Sequence, residues 1–422
     1  MSTLAINAGS SNVKFGLFDG DERDPRVVGE FDWAGSERRG AGGNKARRKL
    51  PTGGFDQAEG DRQRGRAFDR SRRPGAGRAP NDYAAAADAI RAALESDPSD
   101  PARASAITAV GHRVVHGGAE FRESVLIDCK VKAAIGRLSA LAPLHNPAAL
   151  EAIEAAEAAL PGVPQVAVFD TAFYAQLPPR ACIYPLPYKW YKDWGIRRFG
   201  FHGISHAYCA GRAAELLGRD VGQLRLVTCH LGSGCSATAV RNGMAVATTM
   251  GFTPLEGLMM GTRSGSVDPA ILIHLQRQHG LTIAEIDHAL HFSSGLLGVS
   301  GVSNDRAEIE AAAAQGNERA RLACDMFADR VRCAIGSLAT ALGGLDALVF
   351  TAGIGEHAST WRAAACEGLE FMGLRLDRQR NATVSPDADI AAADSPARIL
   401  VIHTREELMV AREAHRVAAR CR

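Results

Sequence analysis

Polar side chains that are costly to bury recur in this chain inside short glycine-rich stretches, which is the pattern expected of a site that handles an anion. Three glycine-bearing loops follow strand-like runs: Asn7-Ala8-Gly9-Ser10-Ser11-Asn12, His230-Leu231-Gly232-Ser233-Gly234-Cys235-Ser236 and Thr351-Ala352-Gly353-Ile354-Gly355-Glu356. Glycine lets backbone N–H groups converge on phosphate oxygens without a Cβ in the way, and serine hydroxyls add neutral donors. One such loop could be a tight turn chosen only for its dihedrals. Three in one chain, the first two in hairpin context, read as phosphate cradles. The sequence has no GxxxxGK[ST] and no GxGxxG that opens a helix directly after a strand. A nucleotide would therefore be held by other means. Moving a phosphoryl group between anions also implies a cation, because neutral loops do not supply the charge.

Two arginines stand in similar surroundings, Arg113 in Gly111-His112-Arg113-Val114-Val115-His116-Gly117-Gly118 and Arg263 in Gly261-Thr262-Arg263-Ser264-Gly265. A pair of guanidinium groups from distant sequence can close on carboxylate or phosphoryl oxygens with fork geometry, while either alone can be a structural ion-pair partner. His145 in Leu144-His145-Asn146-Pro147 and His202 in Phe201-His202-Gly203-Ile204-Ser205-His206 stand at helix starts. The positive end of the helix dipole lowers their proton affinity and suits donation to an anion, although each taken singly reads as a capping or packing residue. Asp170 ends Val166-Ala167-Val168-Phe169, a buried strand that would deliver a carboxylate at its C-terminal edge. Glu406, in His403-Thr404-Arg405-Glu406-Glu407, does likewise, or is a favourable acid at a helix start.

The elements that must position these groups are an alternation of strands and helices. Leu4 and Ile6 on one side of a turn and Val13, Phe15 and Leu17 on the other read as a hairpin. A helix capped by Asn81 follows, with Tyr83, Ala87, Ile90 and Leu94 at helical spacing. Strands are expected at 106–110 and 165–170, with a helix over 147–160 between them. A second hairpin spans 225–249 and turns at Asn242-Gly243. Helices over 268–279 and 318–342, a buried strand at 345–351, a last strand at 398–403 and a terminal helix from Arg405 complete the pattern. Two halves that each begin with a glycine-turned hairpin suggest a duplicated α/β chain.

With 422 residues, 46% of them apolar and 23% charged, the chain is a globular one of two or three domains. No apolar run approaches the roughly 18 residues needed to span a bilayer, and Met1-Ser2-Thr3-Leu4 lacks the basic flank of a signal peptide, so a cytoplasmic location and no membrane partner are expected. Nine cysteines without a CxxC pair read as buried reduced thiols. The net charge of +2 hides a segment over 36–80 with 13 basic and 5 acidic residues and nine glycines, which leaves the rest of the chain at −6. That segment reads as a solvated, mobile insertion. A slightly acidic body argues against a nucleic-acid partner, since basic charge should recur on a folded face.

The motifs NAGSSNVKF, GHRVVHGG, APLHNP, FDTAFY, FGFHGISH, HLGSGCS, GFTPLEGLMMGTRSGSVDP, GVSGVSNDR, TAGIGEH and HTREEL together resemble those of the acetate kinases, the acetokinase family within the acetate and sugar kinase, Hsp70 and actin superfamily. The resemblance runs from Asn7 to Glu407 and fails only in the basic stretch. It implies an α/β fold of two duplicated ribonuclease-H-like, actin-like ATPase domains with a cleft between them. The N-terminal domain would cover 1–171 and be completed by 405–422, and the nucleotide-binding domain would cover 172–404. The implied reaction is reversible in-line transfer, ATP plus acetate giving ADP plus acetyl phosphate, with Mg2+, or Mn2+ in its place, in a homodimer. By motif position Asn7 and Glu406 would hold the cation, and Asp170 would orient the metal-bound or acyl end. Arg113 and Arg263 would clamp carboxylate and phosphoryl group, His202 would donate to the equatorial oxygens and His145 would assist. Val115, Leu144, Phe201 and Pro254 would line the acyl pocket. Lys14, His230, Leu231, Gly232, Ser233, Gly234, Asp305, Arg306, Gly353, Ile354, Gly355 and His357 would meet the nucleotide.

Some positions depart from the family pattern: Asn12 stands for serine, Ser233 for asparagine, Tyr174 for histidine, His357 for asparagine, His403 for proline and Arg405 for asparagine. All keep some hydrogen-bonding capacity, so altered affinity is expected. Alternatives are a propionate or other short-chain acyl kinase, a pyrophosphate-using relative, a chaperone or filament ATPase of the same superfamily, and a polyanion tether at 36–80.

Overall fold

The computed structural model describes residues 2–9, 12–20, 22–32 and 107–420. The basic stretch and the helix expected from Asn81 lie outside the described residues, as do Ser10, Ser11, Cys421 and the side chain of Asn12.

The N-terminal alternation closes as a hairpin. β1 (Ser2–Ala8) pairs antiparallel with β2 (Asn12–Asp19), which sets Asn7 opposite Lys14, and β2 pairs onward with β3 (Val27–Asp32). On its other side β1 runs parallel to β4 (Ile107–Val114), and β4 runs parallel to β6 (Gln165–Phe169). The short β5 (Val125–Leu126) lies antiparallel to β6 and completes the order β3-β2-β1-β4-β6-β5.

The second sheet repeats this plan. β7 (Arg225–Leu231), β8 (Cys235–Arg241) and β9 (Met244–Thr248) form a meander, so the single hairpin expected over 225–249 is two hairpins sharing β8. Their turns are Gly232-Ser233-Gly234 and Asn242-Gly243. The second has φ of 55° and 74°, the left-handed pair that matches strand twist in a two-residue turn. β7 then runs parallel to β10 (Ala347–Thr351) and β10 to β12 (Arg398–Val401), with β11 (Ala388–Asp389) antiparallel at the edge. The order β9-β8-β7-β10-β12-β11 matches the first sheet strand for strand and sense for sense, so the duplication is a fact of topology.

Five helices frame the two sheets around the site: α1 (Asn146–Ala159), α2 (Gly203–Leu217), α3 (Glu318–Leu342), α4 (Ala352–His357) and α5 (Glu406–Ala419). α1 lays Ala148, Ala152, Ala155 and Ala156 against β1 and β4, and α3 lays Val331, Ile335 and Leu338 against the meander. The helices α2 and α5 exchange partners. α2 follows the first sheet but packs on β7 and β10, whereas α5 follows the second sheet but packs on β1, β4 and β6. Both contribute to one core with residues of both sheets, among them Ala5, Val166, Val349, Leu400, Leu408 and Val410. Each fully buried Leu or Val there stabilises by about 1.5–3 kcal/mol. Gly111 permits the close approach of α5, since a Cβ on it would stand 2.7 Å from the Val410 carbonyl oxygen.

Cys182, Cys209, Cys229, Cys235 and Cys366 are buried thiols as expected, but Cys129 and Cys333 are exposed and Cys324 is half-buried. Reading thiols as core packing overlooks cysteines on the outer face of a helix. Among the described residues no helix is long and apolar enough to cross a membrane.

Candidate active site

The functional side chains arrive at the C-terminal ends of parallel strands, where the chain leaves the sheet and backbone groups are free to face a ligand. Arg113 is the penultimate residue of β4, Asp170 follows β6 directly, Asn7 is next to last in β1, and Glu406 opens α5 just beyond β12. They meet. Arg113 donates from Nε and Nη2 to Asp170 Oδ2 at 3.2 and 2.7 Å and from Nη1 to Asn7 Oδ1 at 3.1 Å. Its Nη1 also lies 3.7 Å from the Glu406 carboxylate. Burial disfavours the guanidinium charge, yet Asp170 and Glu406 more than offset this and hold the group above its ordinary value. For Glu406, burial first and then Asp170 and Glu407 push the carboxyl up to about 7, against the pull of Arg113 and Lys14.

Arg263 enters from the loop after β9. Its Nη1 donates to the Pro254 carbonyl at 2.6 Å, and among the described residues no carboxylate lies within ion-pair distance. Burial lowers its proton affinity. Gly234, in the first turn of the meander, lies against it: a Cβ there would stand 2.7 Å from Arg263 Nη2 and 3.2 Å from His202 Nε2. That is the concrete reason for a glycine at this turn. The Gly261 N–H donates to the Ser233 carbonyl at 3.3 Å and ties the two loops together.

His202 stands at the start of α2 with φ 58° and makes no side-chain capping bond. Its ring stacks on His230 at 4.2 Å between centroids, and Nδ1 lies 2.9 Å from Ser236 Oγ. Burial, then His230, Arg113, His206 and Arg263 hold His202 well below the usual histidine value. Burial and Arg113 push His230 down to about 3, and burial with both arginines pushes His145, at the start of α1, down to about 4. His230 Nδ1 lies 3.9 Å from the Glu406 carboxylate, so the stacked His202–His230 pair, Glu406 and Arg113 form one contiguous cluster, and both guanidinium groups act electrostatically on His145 and His202.

The residues expected to line the acyl pocket differ in exposure. Val115 is buried and Pro254 is engaged through its carbonyl, but Leu144 is 41% exposed. Phe201 is 1% exposed, its ring edge-on to His116 at 5.3 Å. An apolar residue in a glycine motif reads the same from sequence whether it faces a cavity or the core behind it.

Of the residues expected at the nucleotide, Lys14 is exposed on β2 opposite Asn7 and Leu231 is buried with only its backbone at the turn. Gly353, Ile354, Gly355 and His357 belong to α4. The Asp305 side chain accepts the N–H groups of Ala307 and Glu308, which commits it to capping the helix Arg306–Ala314. Arg306 pairs with Glu310, and both line a cavity of about 490 Å³ with His357, Thr360 and Trp361. Tyr174, where histidine is usual, is fully buried and donates to the Phe201 carbonyl at 2.7 Å.

Sequence reasoning passed over Glu356. This buried carboxylate accepts the N–H of Ala352 at 2.9 Å and of Thr404 at 3.0 Å and pairs with His403 Nδ1 at 2.6 Å. It joins α4 to the segment that leads to Glu406, and Ala352 is held at φ 64°. The acid after Gly-Ile-Gly was the available signal. His206, Ser236 and Arg362 were also passed over.

Among the described residues no three His, Cys, Asp or Glu side chains could hold a metal unaided. What the site does offer is Asp170 Oδ1, buried without a partner, with the Glu406 carboxylate and the Asn7 amide oxygen gathered around the same Arg113 guanidinium. Hard oxygen donors in this small number suit Mg2+, which keeps few protein ligands and shares substrate phosphate oxygens.

Comparison with known proteins identifies the family. The model of the acetokinase family matches residues 2–412. An acetate kinase of Gloeobacter violaceus is 51% identical over 421 residues, covering 98% of each chain. Among solved structures, an acetate kinase of Porphyromonas gingivalis superposes with a TM-score of 0.83 at 39% identity, and a propionate kinase of Francisella tularensis with 0.81 at 35%, each covering 99% of both chains. The two repeated sheets therefore form the paired actin-like ATPase domains of these enzymes, and the chain belongs to the acetokinase family.

Proposed function

We propose that this chain catalyses reversible phosphoryl transfer between ATP and acetate, giving ADP and acetyl phosphate by direct in-line displacement. The observation that carries the reading is the meeting of Arg113, His145, Asp170, His202, Arg263 and Glu406 around one point, supported by family membership. Acetate is already ionised at neutral pH, so no general base is needed. Arg113, held by Asp170 and Asn7, meets one anion, and Arg263, free of carboxylates within ion-pair distance among the described residues, meets another. His202 and His145 sit as neutral imidazoles between two fixed cations and can donate without adding charge. The Gly232 N–H closes its turn on the Gly234 carbonyl at 3.1 Å, which leaves the N–H groups of Ser233 and Gly234 for the phosphate chain. In-line transfer requires little covalent chemistry, so positioning and charge stabilisation supply most of the rate. Asn7, Asp170 and Glu406 would hold Mg2+, or Mn2+, which when bound neutralises the developing charge between the phosphates.

Residues 1–171 with 405–422 form one domain in this reading and 172–404 the other, supported by the packing of α5 on the first sheet. A homodimer is supported by apolar side chains left exposed on the helix Pro269–His279, Ile271 and Ile273, and nearby in sequence by Ile283. We place the enzyme in the cytoplasm, with no membrane or nucleic-acid partner.

A second reading, a propionate or other short-chain acyl kinase, is favoured by one observation: Leu144 is 41% exposed, so that side of the acyl site is not sealed. One methylene changes binding by only about 1–3 kcal/mol. A coupled assay of acyl phosphate formation with acetate, propionate and butyrate, using ATP, GTP and pyrophosphate, tests both. The highest kcat/KM is expected for acetate with ATP. A preference for propionate would support the second reading, and phosphorylation of none of the three would sink both.

A further inference from the structure

Behind His202 runs a chain of polar side chains with no exit to solvent. Ser236 Oγ lies 2.9 Å from His202 Nδ1 and 2.8 Å from His206 Nε2, and His206 Nδ1 lies 2.6 Å from Thr228 Oγ1. Ser236, His206 and Thr228 are all fully buried. The Thr228 hydroxyl can otherwise donate to the Thr238 carbonyl, at 3.4 Å. Burial and the neighbouring His230 keep His206 well below the usual histidine value, as they do His202, so both rings are neutral.

A neutral imidazole carries one N–H and a hydroxyl donates once, so only two arrangements satisfy every link and also use the hydrogen of the buried Ser236 hydroxyl, which has no other partner to donate to. In one, Thr228 donates to the Thr238 carbonyl, His206 donates from Nδ1 to Thr228, Ser236 donates to His206 Nε2, and His202 donates from Nδ1 to Ser236. His202 Nε2 is then a lone pair. In the other, every donor is reversed: Thr228 to His206 Nδ1, His206 Nε2 to Ser236, and Ser236 to His202 Nδ1. His202 then carries its hydrogen on Nε2. The second arrangement uses the 2.6 Å contact of the Thr228 hydroxyl as a donor in place of the 3.4 Å one. It also turns an N–H, not a lone pair, toward Gly234 and Arg263, where an anion is to be held.

We propose that His206, Ser236 and Thr228 are positioning residues that fix His202 in the tautomer protonated on Nε2, so that a neutral ring donates to the transferring phosphoryl group. The inference rests on the kinase reading, which sets His202 beside that group. Its consequence is a donor that needs no proton from solvent and does not fade as pH rises past the ordinary histidine range.

Steady-state kinetics of Thr228→Val, Thr228→Ser, His206→Met and His206→Gln test it, with His202→Ala as reference and thermal melting as control. Valine keeps the shape of threonine but cannot donate, and serine can. Glutamine can present an amide N–H toward Ser236, and methionine cannot. Thr228→Val and His206→Met are expected to lower kcat at least about tenfold with little change in either KM, and Thr228→Ser and His206→Gln to recover much of the loss. Normal kcat in Thr228→Val, or a loss that Thr228→Ser does not restore, would overturn the proposal. If His206→Met fails to fold, the Thr228 pair decides alone. Full turnover in His202→Ala would instead remove the underlying placement, a separate failure.

Discussion

Arg113 and Arg263 face one site but differ in what they leave behind when removed. Arg263 touches a carbonyl and lies beyond ion-pair distance of every described carboxylate, so Arg263→Ala should keep the fold and lose activity by about 10²–10³-fold in kcat. Arg113 covers Asp170, which is fully buried, so Arg113→Ala strands a charge and should cost about 3–5 kcal/mol of stability besides activity. Calorimetry beside kinetics separates the two; equal thermal stability of both variants would contradict the account. Both arginines were legible in the sequence because a guanidinium inside a glycine-rich motif is costly to bury without a task. Phe201 was not legible as core, and Asp305 was not legible as a helix cap, because a residue type in a motif does not state which way its side chain turns.

The hairpins and parallel strands could be read from alternation and from Asn-Gly, but the exchange of α2 and α5 between the sheets could not. An apolar stripe says that a helix face must be covered, not by which sheet. That exchange is what brings Glu406, from the far end of the chain, to Arg113 on β4. α4 depends on a further element-level device. Arg362 is 2% exposed and donates from Nη1 to the carbonyls of Gly355 and Glu356, both at 2.9 Å, and from Nε and Nη2 to Asn381. Burial lowers its proton affinity to about 10, and it caps the C-terminal end of α4 with charge-assisted bonds. Arg362→Met should cost about 2–4 kcal/mol and raise KM for nucleotide more than KM for acetate. Denaturant unfolding and substrate titration check this, and an unchanged nucleotide KM would detach Arg362 from the loop.

At the scale of the molecule, two copies of one sheet plan each supply half of the proposed site. In that reading β1, β4 and β6 bring Asn7, Arg113 and Asp170, while the β7–β8 turn, α4 and the Arg263 loop would form the anion cradle. The duplication was visible in the sequence as two glycine-turned hairpins, because each half opens with the same strand–turn–strand alternation. The convergence of the halves was visible only through resemblance, since spacing along a chain carries no distances across a cleft. In the proposed reaction one phosphoryl group passes directly between two anions clamped by Arg113 and Arg263, with no side chain covalently modified on the way. The steric course at phosphorus tests this most directly, using ATP made chiral at its γ-phosphorus with oxygen isotopes and sulfur and acetate as acceptor. Direct transfer predicts inversion of configuration in the acyl phosphate; retention, which requires two displacements through a phosphorylated residue, would contradict it.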